Sequence, residues 1–132
     1  MGLDQYIYRV RKFKGQKNFY PVPVGCIEEA EYLPLTLIED SHDSDNEVAY
    51  WRKNYYINNF MMEFAKSRYT EYDVDTFNCS FVQLPKNVIV RLINKIATEE
   101  NYAYDKENDI QQLAGAIVAI DEGYSVYYSP WW

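Results

Sequence analysis

Two runs of apolar residues at helical spacing occupy the second half of the chain, and alternating segments flank them. Such spacing places the apolar side chains on one face of each helix, and that face needs a second layer to cover it. Pro85 suits the first turn of the first helix. Asn108 is a candidate N-cap of the second helix, and Gly123 is predicted to end that second helix. The two runs consist of Val88, Ile89, Leu92, Ile93 and Ile96, followed by Ile110, Leu113, Ala114, Ile117, Val118 and Ile120.

Three segments rich in aromatic and β-branched residues are predicted to be strands. They are LDQYIYRV at 3–10, TFNCSFVQL at 76–84 and YSVYYS at 124–129. KGQKN at 14–18 is predicted to be a turn, and Pro21 and Pro23 limit the residues after it to an extended edge. A short helix over 26–33 and a short strand over 35–40 complete the first part of the chain.

A further helix is predicted to begin within the acidic stretch EDSHDSDNE and to run to about Ser67. Ser44 and Glu47 have the spacing of a capping box. One predicted apolar stripe of this helix is core, and a second could cover another layer or face a partner. The first stripe contains Tyr50, Asn54, Ile57, Met61 and Phe64, and the second contains Trp51, Tyr55 and Met62. Residues 1–132 are therefore predicted to form a single α+β domain, with a small, mostly antiparallel sheet packed against about three amphipathic helices.

Aromatic residues make up 17% of the chain, and 14 of them are Tyr. That number exceeds what one small core is expected to bury, so we expect some rings to form an interaction surface. The candidate binding residues are Tyr6, Tyr8, Tyr50, Trp51, Arg52, Lys53 and Tyr55. Two roles stay open for Arg52 and Lys53, which could hold a partner's phosphate or carboxylate, or pair with acids such as Asp45 and Glu47.

The formal net charge of −7 disfavours contact with nucleic acid or anionic membrane. A cluster of cations near the N-terminus interleaves with Phe13, Phe19 and Tyr20. This composition fits a single-strand nucleic-acid face, but it fits an ordinary amphipathic hairpin better in so acidic a chain. Cys26 and Cys79 have no metal-binding or redox spacing, which predicts a reducing cytoplasm. No signal sequence and no membrane-spanning run is predicted.

The sequence predicts no catalytic residue, no metal site and no cofactor, so a role other than catalysis is expected. His42 is the single histidine and lies in the acidic stretch without a second His or a Cys beside it. That stretch also lacks the glycine and the distant glutamate of a calcium loop. An enzyme using Asp4, His42 or Cys79 would need a cleft that gathers at least two of them.

Three segments resemble a family of small proteins of bacteriophages and prophages. They are MGLDQYIYRV, EVAYWRKNYYINNF and NCSFVQL, and the matching residues are Gly2, Leu3, Asp4, Tyr6, Glu47, Tyr50, Trp51, Arg52, Lys53, Ile57, Asn78 and Cys79. Members of that family often carry an Asn and then a His in the helix, where this chain has Tyr55 and Asn58. The resemblance implies an accessory protein of phage type, and the missing polar groups favour binding over catalysis.

Two functional hypotheses follow from the sequence. The first is an accessory protein that binds and inhibits a host protein in the host cytoplasm, such as a component of defence or gene expression. The alternative is a small-ligand or nucleotide binder in which Trp51, Arg52 and nearby Tyr rings line a pocket. A homodimer is compatible with both, because Trp131, Trp132 and unburied Tyr rings would form an apolar patch.

Overall fold

The computed structural model describes residues 2–11, 22–23, 47–68, 77–78 and 80–132. The predicted α+β class is confirmed, with three helices and an antiparallel sheet in these ranges. The elements are β1 Asp4–Arg11, β2 Val22–Pro23, β3 Glu47–Arg52, α1 Tyr55–Arg68, β4 Ser80–Gln83, α2 Lys86–Thr98, α3 Lys106–Asp121 and β5 Tyr124–Trp131. The predictions for residues 12–21, 24–46, 69–76 and 79 lie outside the described residues.

The sheet has the strand order β2-β4-β5-β1-β3, and each neighbouring pair is antiparallel. β5 is the central strand and pairs with β1 over eight residues, from Asp4 opposite Trp131 to Arg11 opposite Tyr124. Residues 125–130 are all buried. β2 pairs only Val22 and Pro23 with β4, at the end of the sheet where the prolines predict an edge.

The register of the strands defines two faces of the sheet, because residues directly opposite each other in an antiparallel pair point to the same side. Ile7 lies opposite Ala49 and Tyr128, and these side chains belong to the core beneath the helices, which we call the helix face. Tyr6 lies opposite Tyr50 and Ser129 on the other side, which we call the second face.

The predicted core stripes of α1 and α2 are confirmed in part, because Tyr50 lies in strand β3 and is exposed, and Ile93 is only half-buried. Ile57 and Met61 of α1 have no exposed surface, and Phe64 is buried beside them. In α2 the buried residues are Val88, Ile89, Leu92 and Ile96. Each fully buried aliphatic side chain contributes roughly 1.5–3 kcal/mol relative to an exposed one, so these two stripes account for much of the attachment of the helices to the sheet.

The predicted start of the first helix is wrong, because Glu47–Arg52 is strand β3 and α1 begins only at Tyr55. Lys53 has a φ of 57° and turns the chain out of the strand. Asn54 then caps α1, since its Oδ1 accepts a hydrogen bond from the backbone N of Ile57 at 3.0 Å. The capping residue is therefore Asn54 and not Ser44.

The start and the buried stripe of α3 also differ from the prediction. Asp105 is the N-cap, and its side chain accepts from the backbone N of Asn108, which lies inside the helix. Val118 is 54% exposed, and Ala114 is exposed as well. The buried residues of α3 are Asp109, Leu113, Ala116 and Ala119. Small side chains at two of these positions let the helix approach its neighbours closely.

Helix α3 covers the open edge of β3 and runs in the opposite direction along it. Trp51 donates its Nε1–H to Asp109, and the backbone of Tyr50 bonds to Gln112 one turn later. At Gly115 a side-chain Cβ would meet Cγ1 of Val48 at 3.8 Å. A covered edge is protected against pairing with a strand of another molecule. None of the described helices has the length and apolar content needed to cross a bilayer.

Candidate functional site

Four of the predicted binding residues meet on the second face of the sheet, where β1 pairs with β3. The rings of Tyr6 and Tyr8 are stacked with centroids 5.4 Å apart, and the rings of Tyr6 and Tyr50 are 5.1 Å apart. Asp4 lies opposite Arg52 in the same register. We call this cluster of Asp4, Tyr6, Tyr8, Tyr50 and Arg52 the tyrosine face. Register places these side chains together, because Asp4, Tyr6 and Tyr8 alternate along one strand and Tyr50 and Arg52 along its neighbour.

Exposure within the tyrosine face falls from β3 toward the centre of the sheet. Tyr50 is 40% exposed, Tyr6 is half-buried and Tyr8 is buried. Tyr8 also contacts the buried Phe81 with ring centroids 6.2 Å apart. Tyr8 therefore supports the ring of Tyr6 from within, and Tyr6 and Tyr50 are the rings that solvent or a partner can reach.

The tyrosine hydroxyls of this face stay protonated above the usual range. Tyr50 donates its hydroxyl to Oδ1 of Asp4 at 2.8 Å, and this hydrogen bond is the main cause that raises the pKa of Tyr50. Burial, followed by the nearby carboxylates of Asp4 and Glu47, raises the pKa of Tyr6. Burial also raises the pKa of Tyr8. At neutral pH the face therefore presents neutral rings with hydroxyl donors beside one carboxylate and one guanidinium.

Gly2 packs against the two cations at the end of β3. A Cβ at Gly2 would lie 3.3 Å from a terminal guanidinium nitrogen of Arg52 and 3.7 Å from Cε of Lys53. The backbone N of Lys53 donates to the carbonyl of Leu3 at 2.7 Å. Arg52 and Lys53 are exposed, and neither forms an ion pair with another described residue. The expected pairing with Glu47 is therefore absent, whereas Asp45, the other acid considered for this pairing, lies outside the described residues.

Trp51 does not belong to this surface. It is 5% exposed and lies on the helix face, whereas the adjacent Arg52 lies on the second face. Successive residues of a strand point to opposite sides, so one pocket cannot be lined by both of these side chains. The expectation that Trp51 and Arg52 share a ligand pocket is wrong for this reason.

Tyr55 is the most exposed of the candidate tyrosines at 52%. It is the first residue of α1, and its backbone N donates to the hydroxyl of Tyr104 at 3.1 Å. Within the described ranges no hydrogen bond or ring contact links Tyr55 to the tyrosine face. It is thus an exposed ring outside the cluster as defined.

A buried polar network lies under β3, and the sequence analysis missed it. Asp109 is 2% exposed and accepts from Trp51 Nε1 at 2.8 Å, from Asn54 Nδ2 at 3.0 Å and from the hydroxyl of Tyr102. Gln5 accepts from the backbone N of Asn54 at 2.7 Å. The signal was present in the sequence, since Gln5 falls on the same side of its strand as Leu3 and Ile7.

The same network extends to the central strand. The Nε2 of Gln5 donates to the hydroxyl of Tyr128 at 2.8 Å, and that hydroxyl donates to Oδ1 of Asn58 at 2.8 Å. Burial raises the pKa of Tyr128 and also that of Tyr102. Buried groups with their hydrogen bonds satisfied favour a single arrangement, so the network fixes β3 and its Tyr50 rather than offering reactive groups to solvent.

No group of three or more His, Cys, Asp or Glu side chains within the described ranges is placed to hold a metal ion. The remaining candidates of the sequence analysis lie outside these ranges. They are His42, Cys26, Cys79, Phe13, Phe19 and Tyr20.

Comparison with protein families, with curated proteins and with solved structures finds no match to this chain. The resemblance to small phage proteins therefore stays a prediction, and the argument for function depends on the site itself.

Proposed function

We propose that this chain is a small accessory protein of phage type that binds and inhibits a host protein in the host cytoplasm. The tyrosine face is its contact surface in this proposal. The observation that supports it best is the Tyr6–Tyr50 ring pair, in which Tyr50 is exposed and Tyr6 half-buried, next to the cross-strand pair of Asp4 and Arg52 on the same face. Tyr and Arg are the residues that dominate the binding energy of many interfaces.

The supports beneath the face favour binding by preformed geometry. Tyr50 is held by its side chain at Asp4 and by its backbone at Gln112. A ring that is already fixed loses little conformational entropy when a partner covers it. The face therefore suits a partner that docks without rearranging the sheet.

Charge favours a partner with a basic surface. The net charge of −7 attracts cationic surfaces over a distance of about one Debye length, which is ~8 Å at physiological salt. Surfaces that bind nucleic acid are basic, so a DNA- or RNA-binding host protein has a surface charge that is complementary to the negative charge of this chain. The same charge makes direct binding of nucleic acid by this chain unfavourable.

A homodimer remains part of the proposal, and α3 restricts its form. Since α3 covers the edge of β3, copies of the chain would associate through side chains rather than by pairing their β3 strands. Trp132 is 37% exposed and is a further ring available for such a contact. Sedimentation at high concentration tests this state, and a monomer throughout would contradict it.

The test of the main proposal is affinity capture from bacterial lysate with quantitative mass spectrometry. Wild type is compared with Tyr50→Ala, with Arg52→Ala and with Val118→Ser, an exposed control on α3. A specific partner is retained by wild type and by the control, and each substitution in the face lowers its recovery by about tenfold or more. Equal recovery with all four proteins, or no retained protein, would overturn the proposal.

A further inference from the structure

A groove of about 630 Å³ lies between α1 and α2, away from the tyrosine face. Its volume falls within the range of roughly 300–1,000 Å³ that is typical of small-molecule sites. Tyr56, Phe60 and Phe64 of α1 supply rings to its wall, and Arg91 and Lys95 of α2 supply cations. The groove therefore combines an apolar floor with positive charge in an otherwise acidic protein.

The two cations are held over the rings of α1. The guanidinium carbon of Arg91 lies 5.4 Å from the centroid of Phe60, and Nζ of Lys95 lies 5.8 Å from the same centroid and 5.9 Å from that of Tyr56. Such contacts orient a cation but leave hydrogen-bond donors open. Neither Arg91 nor Lys95 forms an ion pair with a described residue, so both retain donors for an anion.

One residue of the groove limits the charge of the ligand. Glu63 lines the same space and carries a carboxylate of its own. Together with the net charge of −7, it disfavours a multiply charged group such as a phosphate monoester. A single negative charge matched to the two cations, Arg91 and Lys95, is the better fit.

We propose that the groove between α1 and α2 binds a small organic monocarboxylate with an apolar body. Arg91 and Lys95 hold the carboxylate by charge-assisted hydrogen bonds, and the apolar part packs on Phe60 and Phe64. The site is independent of the proposed protein partner, because it uses helix residues that are not part of the tyrosine face.

The test is a titration of the ¹⁵N-labelled protein with 4-phenylbutyrate, followed by amide chemical shifts. The neutral 4-phenylbutanol serves as the matched probe without charge. We expect saturable shifts confined to α1 and α2, and binding of the alcohol that is weaker by about tenfold or more. Equal affinity for the two probes, shifts centred elsewhere, or no saturation below roughly 10 mM would overturn the proposal.

Variants test the contribution of the two cations. Arg91→Gln and Lys95→Gln should each weaken binding of 4-phenylbutyrate by about fivefold or more and leave binding of the alcohol unchanged. Tyr56→Phe should leave binding of both probes unchanged, because the hydroxyl oxygen of Tyr56 is buried and closed off from the groove. Lys86→Gln, which removes a cation of α2 outside the groove, should have no effect on either probe. If Lys86→Gln weakens binding as much as Lys95→Gln does, the effect is one of net charge and the proposed site is wrong.

Discussion

The indole Nε1 of Trp51 donates a hydrogen bond to Oδ1 of Asp109 at 2.8 Å, and both residues are buried. The other oxygen of the same carboxylate accepts from Asn54 Nδ2 and from the hydroxyl of Tyr102. One side chain of α3 thus joins strand β3, the cap of α1 and the segment before α3. The orientation of Tyr50 on β3 depends on this attachment.

Removal of this carboxylate should destabilise the fold strongly. Asp109→Ala leaves the indole N–H of Trp51 buried without an acceptor and removes one acceptor each from Asn54 and Tyr102, and we expect it to lower the free energy of unfolding by about 2–4 kcal/mol. Asp109→Asn keeps one acceptor oxygen and should cost less. Urea unfolding followed by circular dichroism measures both. The control Glu107→Ala, an exposed acid in the first turn of α3, should stay within about 0.5 kcal/mol of wild type. A loss for Asp109→Ala as small as that of the control would show that the network contributes little.

The N-cap of α3 gives a second stability prediction. The side chain of Asp105 accepts from the backbone N of Asn108, so Asp105→Ala should cost about 1 kcal/mol. Asn108→Ala removes the residue that the sequence suggests as the cap, and it should cost less than about 0.5 kcal/mol because this side chain is exposed. Thermal and urea unfolding of the two variants decide between the two caps, and a larger loss for Asn108→Ala would contradict the structure.

The elements predicted correctly are those whose apolar residues fit either the helical spacing or the alternation of a strand, but not both. Val88, Ile89, Leu92 and Ile96 have helical spacing without alternation, and α2 lies where that spacing predicts it. The segment EVAYWR fits both periods, because Tyr50 belongs to a helical stripe while Ala49 and Trp51 alternate with it. Pairing with β1 decides in favour of a strand, and a distant partner of this kind cannot be inferred from local spacing.

The site was predicted in its residue types but not in its grouping. Tyr6, Tyr50 and Arg52 were expected at a binding surface, and the register of β1 against β3 brings them to one face. The same register sends Trp51 to the opposite face, which residue type alone could not indicate. Asp109 was missed because a charged residue in an amphipathic helix is normally exposed, and its burial depends on donors from three separate segments.

The side chain of Gln112 occupies the position of a neighbouring strand beside Tyr50. Its Oε1 accepts from the backbone N of Tyr50 at 2.8 Å, and its Nε2 donates to the carbonyl of Tyr50 at 3.1 Å. In Gln112→Ala the amide of Tyr50 loses its acceptor, so its hydrogen exchange should accelerate by about tenfold or more. Gln112→Glu keeps the acceptor and should retain most of the protection. Equal exchange rates of the Tyr50 amide in wild type and Gln112→Ala would show that the side chain does not protect this edge.

Alkaline pH should unfold this protein, and Tyr128 should be one of the responsible groups. Burial raises the pKa of Tyr128 above the value of about 10 of an unfolded chain. A raised folded-state pKa means that the native protein keeps a proton that the unfolded chain loses. The resulting stabilisation is complete below about pH 10 and is lost as the pH rises toward the folded-state pKa.

Each such tyrosine should lower the free energy of unfolding by about 1.4 kcal/mol per pH unit above about pH 10. Urea unfolding at about pH 9 and about pH 11 measures this slope. Tyr128→Phe cannot ionise, so its loss of stability between these two pH values should be smaller than that of wild type by about 1.4 kcal/mol in total. The variant also loses the hydroxyl contacts with Gln5 and Asn58 at every pH. The loss of these contacts is the same at both pH values, so it cancels when the change in stability with pH is compared between wild type and Tyr128→Phe. Wild-type stability that does not change between the two pH values would contradict the neutral, buried state of the Tyr128 hydroxyl.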